Sequence, residues 1–313
     1  MKLYTIKALI KNFSKNKKAY SFHVAFAKFL KDLPMSYVRA QKVKKYNSKC
    51  NYRYIKKKYN KRIKDLQARL YCEKSKRVEE KAPKTIWVMW WQGVEGMPPI
   101  VQACYRQLLK VKKDWEVVLI TKENWAEYVS FPEYIINKVE SGTISLTHFS
   151  DLMRVALLSE YGGAWFDATI YTTKLPVELE RDKFFTLHTD RQMKDFISEG
   201  LWTGFLLYCP YKRMQFPVLL KHLYELYFLE HDELIEYFLM DLFIKLLYES
   251  VEEIKTSIDN CPIQIGYDLL LCKLNEKYSS EAFKGNFHKL SYKFDFEMET
   301  PQGEKTNYAY LLE

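Results

Sequence analysis

The feature that most constrains the fold is an alternation of short apolar runs with amphipathic segments after Pro83. The run TIWVMWW (85–91) is continuously apolar, which is typical of a strand buried on both faces. A helical stretch opens at Pro98-Pro99, and a second apolar run, WEVVLIT (115–121), follows it. This order of strands and helices predicts a parallel sheet with crossover helices, and such sheets bind ligands at the carboxyl ends of their strands.

The rest of the chain continues this pattern. A helix-rich segment is predicted from Glu123 to about Glu140, ended by Gly142. Further strands are predicted at 183–189 and 201–208. Residues 215–258 are predicted to be mostly helical, with a break near His231–Asp232.

The stretch THFSDLMRVALLSEYGGAWFDATIY (147–171) predicts a helix, a tight turn and a strand. Thr147 or Ser150 can cap the start of the helix. Gly162-Gly163 supplies the stop and the turn. The short apolar strand that follows ends at Asp167.

Four polar side chains of this stretch are candidates for chemistry. His148, Asp151 and Arg154 follow an i, i+3, i+6 spacing and share one edge of the helix. Asp167 is a carboxylate at the mouth of a buried strand, where a bound ligand would meet it. The alternatives are an ordinary helix ion pair for Asp151 and Arg154, a structural His148, and a strand end at a turn for Asp167.

Charge is distributed unevenly along the chain. The 313 residues carry a net charge of +10, but residues 1–80 hold 24 Lys and Arg against 5 Asp and Glu, a net +19. Residues 81–313 carry a net −9. A basic arm on an acidic body indicates an anionic partner for the arm, either membrane lipid or nucleic acid. Nucleic acid is the weaker option, because no recognised binding motif accompanies the charge.

The arm is predicted to be helical. Apolar residues recur at helical spacing between lysines in residues 3–13, as in a segment that lies at a membrane interface. Residues 41–64 interleave Lys and Arg with Tyr, which suits either a membrane surface or a basic helix packed on the body. We predict a basic helical region over residues 1–82 and a second domain over 83–313.

Cysteines and hydropathy indicate a cytoplasmic protein. The six cysteines are scattered without a CxxC pair, which favours reduced, mostly buried thiols over a zinc site or a disulfide framework. No apolar run approaches the ~18–20 residues that span a bilayer, since even Leu234–Leu247 contains three charged residues. Lys7 and Lys11 interrupt the first apolar residues, so no secretory signal is predicted.

The pattern SDxxRxxLLxxYGGxWxDAT (150–169) resembles the donor-binding core of the capsular polysaccharide synthesis glycosyltransferases. These are relatives of glycosyltransferase family 32 and, more distantly, of the large clostridial toxin glucosyltransferases. The resemblance covers about residues 85–293 and includes the segments WWQG (90–93), PPIVQACYRQLL (98–109), YFLMDLF (237–243) and HKLSYK (288–293). It implies an α/β, Rossmann-like glycosyltransferase fold of the A type with a mostly parallel central sheet.

The resemblance also implies roles for individual residues. Asp151, Arg154, Asp167 and Asp241 would be catalytic, with Asp151 and Arg154 holding the donor sugar and its phosphates and Asp241 meeting the acceptor or a metal. The donor-binding residues, of which the first two flank the nucleotide base, would be Trp91, Gln92, Asp151, Arg154, Gly163, Asp167, Thr169 and Lys293.

A divalent metal, Mn²⁺ or Mg²⁺, is the cofactor that the resemblance implies, with Asp167 and His288 as ligands. Thr169 stands where a DxD motif has its second carboxylate, and a neutral hydroxyl is a poor substitute on a hard cation. The sequence therefore does not predict strict metal dependence. Arg154, His288 and Lys293 are the cationic candidates that can stabilise charge on the leaving diphosphate.

The resemblance predicts transfer of a hexose, with retention, from a UDP-sugar to a polyprenyl-diphosphate-linked oligosaccharide in capsular or surface polysaccharide synthesis. We expect the arm to contact the anionic inner face of the cell membrane, or to pack on the body and cover a homodimer surface. Two other hypotheses stay open. One is a non-catalytic, membrane-associated scaffold that has lost the metal site at Thr169, and the other is a nucleic-acid-binding protein.

Overall fold

The structure is a computed structural model that describes residues 3–74, 80–189, 196–264 and 266–313. Its helices are α1 (Leu3–Ala19), α2 (Phe22–Lys31), α3 (Tyr37–Lys74), α4 (Pro99–Val111), α5 (Trp125–Tyr128), α6 (Glu133–Glu140), α7 (Leu146–Glu160), α8 (Gln215–Glu230), α9 (Leu239–Ser250), α10 (Glu252–Asp259), α11 (Leu269–Lys273) and α12 (Asn307–Leu312). Its strands are β1 (Thr85–Met89), β2 (Glu116–Ile120), β3 (Gly163–Phe166), β4 (Ile170–Thr172), β5 (Phe185–Thr186), β6 (Leu206–Cys209) and β7 (Phe287–Lys289).

The central sheet has the strand order β2-β1-β3-β6-β5, and β4 pairs with β7 in a small second sheet. β1 runs parallel to β2 and β3, whereas β6 is antiparallel to β3 and β5. All strands of this sheet except β6 therefore point the same way, which confirms the predicted mostly parallel sheet within the described residues. Every residue of β1 is buried, as its continuous apolar run predicts.

The predicted elements agree with the structure along most of the chain and differ at some ends. The first two apolar runs form β1 and β2, and the break near His231–Asp232 separates α8 from α9. The run 201–208 becomes a strand only at Leu206. Before it, the Thr203 N–H donates to the Thr186 hydroxyl at 3.2 Å instead of joining the strand ladder.

Helix α7 carries two of the predicted site residues and begins at least two residues earlier than its predicted caps allow. Ser145 is its N-cap, and its hydroxyl accepts a hydrogen bond from the His148 N–H at 3.4 Å. The predicted caps Thr147 and Ser150 lie inside the helix, because it already begins at Leu146. Ser145 satisfies one of the N–H groups that the first turn leaves open.

Two glycines join α7 to β3, and their conformations explain why both are needed. Gly162 and Gly163 have φ values of 67° and 83°, in the left-handed region that favours glycine. A Cβ on Gly163 would lie 2.6 Å from the Thr85 carbonyl oxygen, so only glycine allows β3 to lie this close to β1. The Trp87 indole also donates to the Gly162 carbonyl at 2.9 Å.

The basic arm is part of the folded body through α3. This helix lies against α8 and α9, and its Ile55, Tyr59 and Ile63 are fully buried in the same hydrophobic core as β1. α1 and α2 pack on each other, and α2 packs on α3. The predicted boundary after residue 82 therefore does not divide the described residues into two cores.

A second hydrophobic cluster holds the C-terminal part of the chain beside the sheet. α4 packs against β4 and α12, and α11 packs against β7. β7 pairs with β4 in the register Ile170–Lys289 and Tyr171–His288. This pairing brings a late segment of the chain next to the turn that follows β3.

Two predictions from composition can be compared with this fold. Four of the six cysteines are buried, as expected for most of them, and these are Cys50, Cys104, Cys209 and Cys261. Across the described parts of the chain, no helix combines the length and the apolarity that a bilayer crossing requires.

Candidate active site

Asp167 lies directly after β3, at the carboxyl end of the central parallel strands. Its N–H donates to the Phe205 carbonyl, and its own carbonyl accepts from the Ile170 N–H, both at 2.9 Å. These bonds fix the residue in a tight turn between β3 and β4. The side chain is 25% exposed, which leaves the carboxylate open to a ligand. The prediction that the strand ends at this aspartate is confirmed.

The Arg154 guanidinium links this aspartate to α7. Its Nη2 lies 2.9 Å from Asp167 Oδ1 and 3.2 Å from Asp151 Oδ1. Its Nη1 donates to the Gly204 carbonyl, and its Cζ lies 5.0 Å from the centre of the Trp165 ring. Only 6% of the side chain is exposed, so Arg154 orients the two carboxylates from the protein side.

Lys289 also contacts the Asp167 carboxylate, and it is not among the site residues predicted from the sequence. Its Nζ lies 2.8 Å from Asp167 Oδ2 and 2.6 Å from Thr169 Oγ1. The sequence singles out His288 and Lys293 of the same segment instead. Adjacent residues of a strand face opposite sides, so the register of β7 decides which of them meets the site. A strand prediction over 287–289 would have made Lys289 an alternative to His288, and only the register chooses between them.

Burial and neighbouring charges shift the pKa values of Asp167 and Asp151, the two carboxylates that contact Arg154. Burial by itself raises the pKa of Asp167, but the charges of Lys289 and Arg154 and the hydrogen bonds from Lys289 and Trp165 outweigh it and lower that pKa. Burial raises the pKa of Asp151, against the opposing charge of Arg154. Asp167 is therefore ionised at neutral pH and can accept hydrogen bonds from ligand hydroxyls.

Asp241 lies in the first turn of α9 and interacts with Asp151. Its Oδ1 accepts a hydrogen bond from the Trp202 indole at 2.9 Å. Burial raises the pKa of Asp241 to about 6, the Trp202 hydrogen bond opposes this, and the charge of Asp151 adds to it. Burial also raises the pKa of Tyr224 well above its usual value, and the charge of Asp151 adds to that shift. The structure thus brings together the four predicted catalytic residues, with Asp151 and Asp241 as an acidic pair.

The segment after β1 lies at the same edge of the sheet. Trp91 is half-buried there and Gln92 is exposed. Tyr292 packs edge-on against Trp90 with 5.4 Å between ring centres, which brings the loop with the exposed Lys293 to this edge. The donor-binding roles of Trp91, Gln92 and Lys293 stay predictions.

Two of the predicted residues lie apart from this group. Gly163 begins β3 and so lies at the opposite end of that strand from Asp167, roughly 13 Å away at the usual rise per residue. Its conformation serves the close contact with β1, and its donor-binding role stays a prediction. His288 is 1% exposed and lies beside Tyr171, because Lys289 takes the side of β7 that faces Asp167. The geometry does not support His288 and Asp167 as ligands of one metal ion.

The groups around Asp167 do not fit a divalent metal ion. Mg²⁺ takes about six oxygen ligands in near-octahedral geometry, and at phosphate sites it needs one or two free carboxylates besides water and substrate phosphates. Here Asp167 Oδ1 accepts from Arg154 and Trp165, Oδ2 accepts from Lys289, and Thr169 replaces the second carboxylate. Among the residues that the structure describes, no group of three or more His, Cys, Asp or Glu is arranged to hold a metal.

The fold and the site define a mixed α/β protein of the Rossmann-like glycosyltransferase type, in which a central strand ends at a carboxylate held by an arginine from the preceding helix. The family model described as capsular polysaccharide synthesis protein matches residues 34–311, and the chain belongs to that family. The match includes the whole of α3, in agreement with the burial of that helix in the core.

The chain is also similar to a curated protein, the O-glycosyltransferase braB of Annulohypoxylon truncatum. The two are 30% identical over 125 residues. This match covers 37% of the present chain and 30% of the relative, so the chain spans less than a third of that relative's length.

Proposed function

We propose that the protein is a glycosyltransferase that binds a nucleotide-sugar donor at the carboxyl ends of β1 and β3. The observation that carries this proposal is Asp167, an ionised and partly exposed carboxylate held between Arg154 and Lys289. Ligands of open α/β sheets bind at this edge. The carboxylate can accept hydrogen bonds from sugar hydroxyls while a neighbouring cation meets the phosphates. Family membership and the O-glycosyltransferase relative support this assignment.

The proposed reaction requires a stabilised leaving group. The acceptor oxygen bonds to C1 of the donor sugar, and the bond from C1 to the diphosphate breaks with its electron pair on the diphosphate. The acceptor hydroxyl proton passes to a diphosphate oxygen, so the nucleoside diphosphate leaves protonated. Proton uptake on the leaving-group side suits retention at C1, which we propose. Cationic groups fixed beside the diphosphate stabilise its developing charge.

We propose a UDP-hexose as donor and a polyprenyl-diphosphate-linked oligosaccharide as acceptor, in the synthesis of a capsular or surface polysaccharide. The family supports the pathway, and the relative's description supports transfer to an oxygen atom. We assign Asp241 to the acceptor side, because it joins the site through Asp151 and Arg154 and not through Asp167.

A donor screen tests the proposal. The purified protein is heated with UDP-, GDP- and CMP-sugars, since a ligand that binds only the folded state raises Tm. We expect UDP-glucose or UDP-galactose to stabilise the fold by about 2.7 kcal/mol at a hundredfold excess over Kd. Stabilisation by GDP- or CMP-sugars alone would overturn the choice of UDP. If no nucleotide sugar stabilises the protein, the non-catalytic scaffold becomes the better account.

We also propose that α1 and α2 dock the enzyme on an anionic membrane surface. Ile10 is 57% exposed and Phe22 is 53% exposed, and the Phe22 and Phe26 rings stack with 6.1 Å between their centres. Lys7 and Lys11 are exposed on α1 as well. Apolar side chains next to lysines suit insertion at a lipid interface together with attraction to anionic headgroups.

A further inference from the structure

The Lys289 side chain occupies the position where a DxD motif would bind a metal cation. Two carboxylates spaced as in a DxD motif would share a cation between positions 167 and 169. In this structure the Lys289 ammonium bridges those two positions, 2.8 Å from Asp167 Oδ2 and 2.6 Å from Thr169 Oγ1. A threonine hydroxyl accepts a hydrogen bond from an ammonium well, although it is a poor ligand for a hard cation. The Thr169 substitution and the Lys289 contact therefore match each other chemically.

The backbone holds Lys289 in this position from both sides. Its N–H donates to the Tyr267 carbonyl at 2.6 Å, and the next N–H, of Leu290, donates to the Thr169 carbonyl at 2.9 Å. The side chain passes the Phe205 ring with Nζ 5.1 Å from the ring centre, a cation–π contact. Because the Lys289 ammonium is already held in place, the side chain does not need to rearrange when a ligand binds.

The ammonium also keeps capacity for a ligand. Lysine has three N–H donors, and in the described part of the chain two of them are used by Asp167 and Thr169. The side chain is 26% exposed, whereas that of Arg154 is 6% exposed and its Nη atoms are committed inside the protein. Lys289, and not Arg154, is therefore the cation at this aspartate that a diphosphate can reach.

We propose that Lys289 takes the place of the divalent metal ion, so that donor binding and sugar transfer by this protein proceed without Mn²⁺ or Mg²⁺. This inference rests on the proposed glycosyltransferase function. Lys289 donates a hydrogen bond from its remaining N–H to the diphosphate and transfers no proton. When the C1–O bond breaks, it stabilises the electron pair left on the diphosphate oxygen, and the acceptor hydroxyl proton goes to the diphosphate as above.

The test measures the binding of UDP and GDP to the full chain by titration calorimetry, in excess EDTA and again with Mg²⁺ or Mn²⁺. We expect the wild type to bind one of them with a Kd that changes by less than about threefold between these conditions. Lys289→Met should weaken that binding by about tenfold or more, with no rescue by metal, as the loss of a charged hydrogen bond predicts. Lys289→Arg should keep part of the affinity, because it retains the charge.

The matched control is Lys277→Met, which removes an exposed lysine that pairs with Glu304 on the surface, and it should bind like the wild type. The wild-type comparison does not depend on how well any variant folds. Binding that EDTA abolishes and Mn²⁺ restores would overturn the role of Lys289 and leave the glycosyltransferase assignment intact. Undiminished binding by Lys289→Met would overturn it as well. If the wild type binds neither nucleotide in either condition, both the inference and the proposed function are wrong.

Discussion

The pKa of the Asp241 carboxyl differs between the folded and the unfolded protein. Burial raises its pKa from 3.8 to about 6, and nearby Asp151 adds to the shift. Between these two pH values the folded state holds a proton that the unfolded state has lost. Stability therefore falls as pH rises through this window, because the folded protein must then keep a charged carboxylate out of water.

Asp241→Asn should remove this pH-dependent cost. An amide oxygen can still accept the Trp202 hydrogen bond, and it carries no charge. The variant should gain stability relative to the wild type as pH rises from about 4 to about 7.5, by up to about 3 kcal/mol. Urea unfolding at both ends of this range measures the change. Asp182→Asn serves as control, since that side chain is 51% exposed in a surface ion pair. A difference between Asp241→Asn and wild type that stays flat or shrinks with rising pH would contradict the account.

Single residues of the site differ in how well the sequence predicts them. Asp151 and Arg154 share a helix edge by spacing, and Asp167 follows a recognisable strand end, so local rules place all three. Lys289 is far from them in sequence, and only the β4–β7 register brings it to Asp167. In a strand as short as β7, one residue decides whether His288 or Lys289 faces the site, and composition does not contain that information.

At the scale of secondary structure elements, the basic arm divides into two parts. α3 is paired with acidic groups of the body: Lys58 Nζ lies 3.0 Å from Glu230 Oε2, and Lys56 Nζ lies 2.7 Å from Glu249 Oε2. The Asn51 side chain donates to Glu236 Oε2 at 2.9 Å. Part of the positive charge of residues 1–80 is therefore matched inside the molecule, whereas α1 and α2 keep exposed lysines and aromatic rings.

The sequence does not distinguish packing of the arm on the body from contact with a membrane, because both need a helix with basic and apolar residues. What separates them is the partner surface, which lies far along the chain on α8 and α9. The apolar positions of α3 are also spread among lysines and tyrosines, so their burial does not stand out as a clean stripe.

The membrane proposal is tested on α2. Full-length protein should sediment with anionic vesicles at low salt and be released at high salt, because screening weakens the attraction of its lysines to the headgroups. The double variant Phe22→Ser and Phe26→Ser should partition at least about tenfold less, since a phenylalanine contributes roughly 1.5–3 kcal/mol at full burial and insertion at the interface buries only part of each ring. Val177→Ser, which changes another exposed apolar residue (58% exposed), is the control. Equal partitioning of the double variant and the control would rule out docking through α2.

At the scale of the whole molecule, the sheet explains why one edge carries the site. β1, β2 and β3 are parallel, so their carboxyl ends meet at one edge, where the segments after β1 and β3 lie together. The alternation of apolar runs with helices was enough to predict this edge. Whether α3 joins the main core was left open, because it does so through contacts with α8 and α9 that no local pattern encodes.

The central claim is that Asp167 belongs to a nucleotide-sugar site, and the rate of donor hydrolysis without acceptor tests it most directly. Wild-type protein, Asp167→Asn and the surface control Asp182→Asn are compared for release of UDP from UDP-glucose and UDP-galactose. The claim predicts that Asp167→Asn slows release by about a hundredfold or more, a loss of roughly 2.7 kcal/mol of transition-state stabilisation, while Asp182→Asn matches the wild type. Release by Asp167→Asn at close to the wild-type rate would contradict it.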